Sequence, residues 1–365
     1  MKTAIIVYDT STPQFQENRV FDRKHAGKFP GALVWALFGE AVKQRGWDIM
    51  TSDVFLHTHP PSSVVFCVSD MVTPHTQTLL TVGTIPIVIF SGESPNVAWD
   101  FYHNLERYTR LYRHAFLFRG VSERVQSTTR LHSLYWPNAF RSMFSGPRWD
   151  DREFMVMVAS NKQRFSVSAD KPFSSVRCFA KRMIWNYLQL VDPLFRFEDL
   201  YQRRLSAICY FSDVPGFRLY GTGWDKPGRM SKYLQAAKRA GATPVDDKLK
   251  AMTGFRFALC FENCVFPGYV TEKIFDCFFA GCIPVYWGAP DISDFVPRET
   301  FVDARQFDGW MALNRYLREM SSSEAQNYSN AARDFLASEA FTKFHQDYFV
   351  TQLMDILEAE FASGA

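Results

Sequence analysis

No stretch of this chain approaches the roughly 18 consecutive apolar residues of a membrane-spanning helix. The longest apolar runs, 85–90 and 282–287, are strand-sized. The N-terminus carries one lysine and a short apolar run ending at Asp9, without the long apolar core and small-residue cleavage site of a secretory signal. No basic stripe stands out: 41 Lys and Arg face 38 Asp and Glu, and a net charge of +3 argues against broad nucleic-acid capture. Seven cysteines is an odd number, and Cys67, Cys209 and Cys260 sit inside apolar runs. Buried reduced thiols are therefore expected rather than disulfides. No Asp-x-Asp pair occurs, and His57-Thr58-His59 has no third ligand nearby, so no metal site is expected. Repeats and low-complexity tracts are missing too. These absences lead to the expectation of a soluble, intracellular protein without a transmembrane segment.

What is present is a large core. At 365 residues and 47% hydrophobic content, two domains are expected. Aromatics reach 16%, with 35 Phe and 9 Trp; most should be core, though exposed rings also make platforms for sugars. Apolar runs bounded by turn residues recur at 3–8, 63–68, 85–90 and 115–118, with helix-like stretches at 31–44 and 97–112 between them. Strands alternating with helical patterns predict a parallel sheet with crossover helices. A polar, Pro-containing stretch at 145–152 then marks a boundary, giving domains 1–148 and 149–345 and a last helix, 346–365, that packs back. The second half restarts with a strand at 154–159, and 163–173 reads as a long loop. It continues with a helix at 200–211, strands at 217–220 and 257–261, a helix at 271–279 and a strand at 283–287. From Trp310 onward the chain reads helical.

The window 257–290 is the most informative. Glu262 and Asn263 sit at the carboxyl end of one strand, and Trp287 and Gly288 end the next. Ligands of open parallel sheets bind outside such ends. The loop between delivers Thr271-Glu272-Lys273 to the first turn of a helix, whose free N–H groups seat phosphates and to which Lys273 would add a full charge. Glu272 alone also fits ordinary helix design, since an acid complements the dipole there.

Phe261-Glu262-Asn263, Tyr269-Val270-Thr271-Glu272-Lys273 and Ile283-Pro284-Val285-Tyr286-Trp287-Gly288 together resemble the donor-site signature of the α1,3/4-fucosyltransferases. Phe217-Arg218-Leu219-Tyr220-Gly221 and Lys248 agree more loosely. The resemblance implies an α/β fold of two facing Rossmann-like domains, the GT-B glycosyltransferase arrangement, with GDP-fucose held mainly by the C-terminal one. It implies Lys273 on the diphosphate, Glu272 near the fucose ring, Asn263 and Tyr269 on sugar or nucleotide, and Ser160 beside the phosphates. It also implies a diphosphate arginine from a helix between the first two donor-domain strands. Arg204 fits that spacing and Arg182 is the alternative; a solvated arginine on a helix face is the plainer reading. A guanidinium suits phosphate oxygens through paired hydrogen bonds. In the N-terminal half, Gly92-Glu93 before Ser94-Pro95 matches the family's general base, with a shorter gap, although Glu93 could instead cap the next helix. A carboxylate at the end of a buried strand often has a raised pKa, which suits a base.

The resemblance implies an inverting, metal-independent transfer of L-fucose from GDP-β-L-fucose to a glycan hydroxyl, without a further cofactor. The family default is an α1,3 link to GlcNAc of a Gal-β1,4-GlcNAc unit in an oligosaccharide or glycolipid. Another GDP-hexose donor, or a non-catalytic glycan-binding protein on the same fold, are the alternatives. A cytoplasmic enzyme decorating a surface glycan such as lipopolysaccharide, peripherally associated with the inner membrane face, is the expected setting.

Overall fold

The computed structural model describes residues 3–29, 31–60, 64–125, 128–144, 146–161, 172–224 and 231–364. The chain divides into two units, Met1–Phe140 with Glu339–Ala365, and Arg141–Ser338. Eleven strands occur among the described residues: β1 (Ala4–Asp9), β2 (Asp48–Thr51), β3 (Val64–Asp70), β4 (Ile85–Phe90), β5 (His114–Leu117), β6 (Arg130–Ser133), β7 (Glu153–Val158), β8 (Phe217–Tyr220), β9 (Phe255–Phe261), β10 (Ile283–Trp287) and β11 (Val302–Asp303). Five helices bear on the site: α1 (Leu33–Gln44), α2 (Pro172–Val191), α3 (Tyr201–Phe211), α4 (Glu272–Ala280) and α5 (Gln346–Ala362).

In the first unit the sheet order is β2-β1-β3-β4-β5-β6, and every pairing is parallel. Parallel sheets are covered on both faces, which is why β1 and β5 are buried along their whole length and are apolar except for Asp9 and His114 at their ends. From β1 the chain runs to β2 on one side, then crosses to β3 on the other. The carboxyl ends of β1 and β3, Asp9 and Asp70, therefore flank a switch point, and Glu93 follows β4 close by in the sheet order. Helix α5 packs on α1 in this unit, placing the Phe349 ring 5.9 Å from Trp35, 6.2 Å from Phe90 and 5.3 Å from Phe116.

The second unit has the order β11-β10-β9-β7-β8, again all parallel. Its switch point lies between β7 and β9, whose carboxyl ends lead to Ser160 and to Glu262-Asn263. Its core gathers Phe154, Met157, Phe211, Leu219, Phe257 and Val285. None of the six cysteines among the described residues forms a disulfide, and all but Cys209 are buried. Phe335, Phe341, Phe344 and Phe349 are buried core residues of their units.

The expectation of two α/β units with parallel sheets holds. The observed division falls at 140/141 and 338/339 rather than after 148 and 345. Phe144 donates its N–H to Phe279 O at 2.7 Å, tying the 141–144 stretch to the second unit. Asn138 donates to Phe344 O at 2.7 Å, tying the chain before α5 to the first. The expected helix 97–112 is two short ones, Trp99–His103 and Leu105–Thr109, parted at Asn104, whose amide bonds back to Asp100 O at 2.9 Å. Most of the expected loop 163–173 lies outside the described residues, and α2 begins at its end.

Gly221 sits at φ +134 after β8, where an added Cβ would lie 2.1 Å from Ala159 O. The β7 and β8 ends approach too closely there for any side chain. Gly221→Ala should cost at least about 2 kcal/mol in urea unfolding, from both clash and backbone strain.

Candidate active site

The second unit's site is built around Glu262. Its carboxylate, placed by the last step of β9, is fully buried. It accepts from the Thr271 N–H at 2.9 Å and the Thr271 hydroxyl at 2.9 and 3.0 Å. Lys273 donates to Glu262 at 2.9 Å and to Thr271 Oγ1 at 2.7 Å. One buried carboxylate thus fixes both the first turn of α4 and the ammonium that rises from it. Gly281 at φ +70 closes the helix, as a left-handed C-cap requires.

Glu272 is half-buried beside this pair, 3.6 Å from Lys273 Nζ. Burial would raise its carboxyl, but Lys273 and Lys248, with hydrogen bonds from its own N–H and Thr271, pull it down to about 2. Burial would likewise lower Lys273, yet Glu262 and Glu272 hold it above the usual lysine range, against the opposing charge of Arg204. Lys248 is held charged by Asp276 at 2.5 Å and by Glu272, despite its burial.

A second chain of contacts starts from α3. Arg204 donates to Phe261 O at 2.8 Å and to Asn263 Oδ1 at 2.9 Å, and Asn263 donates to the Tyr269 hydroxyl at 3.0 Å. Tyr269 is itself fully buried. Arg204 is therefore turned inward rather than solvated on a helix face, whereas Arg203 pairs with Glu198 at 2.6 Å and lies 4.8 Å above Trp287. Arg182 belongs to α2, and its side chain lies outside those described. Ser160 is exposed past β7, where its Oγ accepts from Thr222 at 3.2 Å. The structure thus gathers Arg204, Asn263, Tyr269, Glu272 and Lys273 into one network and sets Ser160 at the neighbouring strand end.

Glu262, Lys248 and Asp276 complete this network, and sequence reasoning had assigned none of them a role. Glu262 was visible beside Asn263, but its partners come nine and eleven residues later, across a loop. Chemically the arrangement offers two fixed cations, Arg204 and Lys273, beside an ionised carboxylate at the mouth of a parallel sheet.

In the first unit Glu93 is exposed and lines a cavity of about 270 Å³ walled by Trp35, Phe90, Trp136 and Phe349. Gly92 has to be glycine here, because an added Cβ would sit 2.7 Å from the Trp136 ring. The Glu93 carbonyl accepts from the Tyr102 hydroxyl at 2.8 Å, which holds the loop down. Glu93 does not cap the following helix, Trp99–His103, whose N-cap is Ala98 with no side-chain bond.

Residues 228–347 match the model of the glycosyltransferase family 10 (fucosyltransferase) C-terminal domain. Over that segment the chain is similar to the fucosyltransferases of glycosyltransferase family 10. It is 37% identical over 93 residues to an alpha-(1,3)-fucosyltransferase of Helicobacter pylori, covering 25% of this chain and 18% of that one. It is 36% identical over 98 residues to an alpha-(1,4)-fucosyltransferase of Arabidopsis thaliana, covering 27% and 24%. These matches span about a quarter or less of the relatives' length. In fold, the chain is similar to a crystal structure of an alpha1,3-fucosyltransferase (TM-score 0.50, 16% identity, 98% of this chain and 91% of that one). It is also similar to HepE of Anabaena in complex with UDP and glucose (TM-score 0.51, 12% identity, 98% and 100%). Such glycosyltransferase neighbours share the two-sheet α/β architecture. Among the described residues no helix is long and apolar enough to cross a membrane.

Removing either partner of the Glu262–Lys273 pair leaves an uncompensated buried charge. Glu262→Gln and Lys273→Met should each cost about 3 kcal/mol in urea unfolding, and the double variant clearly less than their sum. The depressed Glu272 carboxyl contributes stability that is complete above its ordinary value of 4.5 and lost as pH falls towards about 2. Glu272→Gln should therefore remove about 2 kcal/mol at pH 6, after allowance for solvent screening, and flatten the acid limb of a stability–pH curve.

Proposed function

We propose that this chain transfers L-fucose from GDP-β-L-fucose to a glycan hydroxyl with inversion at the anomeric carbon. The observation that carries this reading is the Glu262-anchored network of Lys273, Glu272, Asn263 and Tyr269 at the carboxyl ends of β9 and β10, inside the family-matched segment, joined by Arg204 from α3 outside it. Lys273 and Arg204 would meet the diphosphate, with Ser160 at its edge, and stabilise the charge that grows as the C–O bond breaks. Glu272, kept ionised by its two lysines, would face the positive charge developing on the sugar ring. Glu93 would take the acceptor proton as the new C–O bond forms. Two cations and a helix N-terminus already in place supply preorganised electrostatics, and each such group is worth roughly 100-fold in rate. Metal-independent chemistry, an α1,3 link to GlcNAc of a Gal-β1,4-GlcNAc unit, and a cytoplasmic site of action at a membrane face belong to the same proposal.

Calorimetric titration of GDP-fucose, GDP-mannose and GDP in EDTA tests it. Metal-free binding that favours GDP-fucose is expected, with Lys273→Ala weakening it at least tenfold. A preference for another GDP-hexose would change the donor, and no guanine-nucleotide binding would sink the reading. Transfer then separates an enzyme from a glycan-binding protein: Lys273→Ala should lower kcat roughly 100-fold.

A further inference from the structure

The cavity of the first unit holds a second carboxyl, Asp70, which the reaction above leaves unused. It ends β3 at the switch point of the sheet and lines the same cavity as Glu93. A third acid, Asp9 at the end of β1, is already committed: its two oxygens accept from the Thr73 and Thr76 hydroxyls at 2.7 and 2.6 Å. The residue after Asp70, Met71, holds φ at 58 with its N–H bonded to Phe90 O at 2.9 Å. A non-glycine residue in the left-handed region marks backbone held by its surroundings, here at the point where the chain leaves β3 beside the cavity. Among the described residues lining the cavity, none is Lys, Arg or His. The walls are aromatic, suited to the C–H faces of a sugar ring.

We propose that Asp70 is a second acceptor-binding carboxyl, which donates a hydrogen bond to one hydroxyl of a neutral pyranose while Glu93 takes the proton of a neighbouring hydroxyl. This rests on the reading of Glu93 as the base. Two carboxyls that line one cavity without a cation between them each disfavour the other's charge, although Glu93 is exposed and Asp70 only half-buried. Burial first, then the charges of Glu93 and Asp9, push Asp70 up to about 7. Tyr8, also within electrostatic reach of Asp70, is raised well above its usual range by burial and stays neutral. Below about pH 7 Asp70 therefore carries a proton and can donate, while Glu93 is the neighbouring acceptor. An acceptor ring with its own carboxylate would meet two acids here and be disfavoured.

The test is the pH dependence of fucosyl transfer to N-acetyllactosamine by the full chain, with Asp70→Asn and Asp70→Ala. Transfer needs Asp70 protonated, so wild-type kcat/KM should fall as pH rises through about 7. Asp70→Asn, neutral at every pH and still a donor, should abolish that alkaline limb. Asp70→Ala should raise KM for the acceptor at least tenfold without changing KM for GDP-fucose. An unchanged limb in Asp70→Asn, or an unchanged acceptor KM in Asp70→Ala, overturns the proposal. A readout independent of turnover is the NMR titration of carbon-13-labelled Asp carboxyls. One resonance should titrate near pH 7, vanish in Asp70→Asn and move to lower pH in Glu93→Gln. Titration of Asp70 in the ordinary carboxylate range overturns the pair even if no transfer is found. Full transfer by Glu93→Gln would instead remove the base assignment.

Discussion

A carboxylate with no exposure to water has to be matched atom for atom, and Glu262 is matched by Thr271 and Lys273. That requirement organises the second unit's site. The acid stands at the end of β9, so the loop after it must return to place the start of α4 against that strand end. Once Thr271 has donated both its N–H and its hydroxyl, the direction of α4 is set, and Lys273 rises from its first turn towards the acid. A buried ion pair of this kind is weak evidence for stability. Its use here is to hold an ammonium in one position with its charge preserved. Arg204 depends on the same strand end, because the carbonyl that receives it belongs to Phe261, the residue before Glu262.

The two sheets solve one problem in parallel. Each places its acids where strand order reverses, the one place in an open sheet where neighbouring connections diverge and leave a crevice. The units differ in electrostatic character. The second surrounds its carboxylates with Lys248, Lys273 and Arg204 and keeps Glu272 ionised. The first lines a cavity with acids and aromatic rings and no cation among its described lining. One surrounding suits an anionic leaving group, the other a neutral polyol.

Much of this could be read from residue order alone, and the reasons for the remainder are physical. The strands 85–90 and 283–287 were plain because buried parallel strands are apolar on both faces. Strand β6 was not, since Arg130, Leu131, His132 and Ser133 sit at a sheet edge and carry no apolar alternation. Helix α2 is hard to read because its apolar residues fall on more than one face, with Trp185 and Leu188 buried but Phe179, Met183, Tyr187 and Leu190 exposed, so no single stripe stands out. Arg204 could be favoured over Arg203 by spacing, but only the fold shows one turned to Asn263 and the other to Trp287. Asp70 is hidden in the sequence because the apolar run ends at Val68, two residues short of the end of β3, and an acid just past an apolar run resembles a turn.

The return of the C-terminal segment to the first unit governs the order in which the protein can be made. Phe349 supplies one wall of the Glu93 cavity and packs on Trp35, more than three hundred residues earlier in the chain. On the ribosome, the first sheet emerges before the second unit but lacks the helix that covers part of it until the second unit has been made. The second unit is contiguous and can finish folding beforehand. Of the two units, the one whose sheet is made before the other is thus closed after it, and until then its aromatic cavity wall is a surface for chaperones to shield.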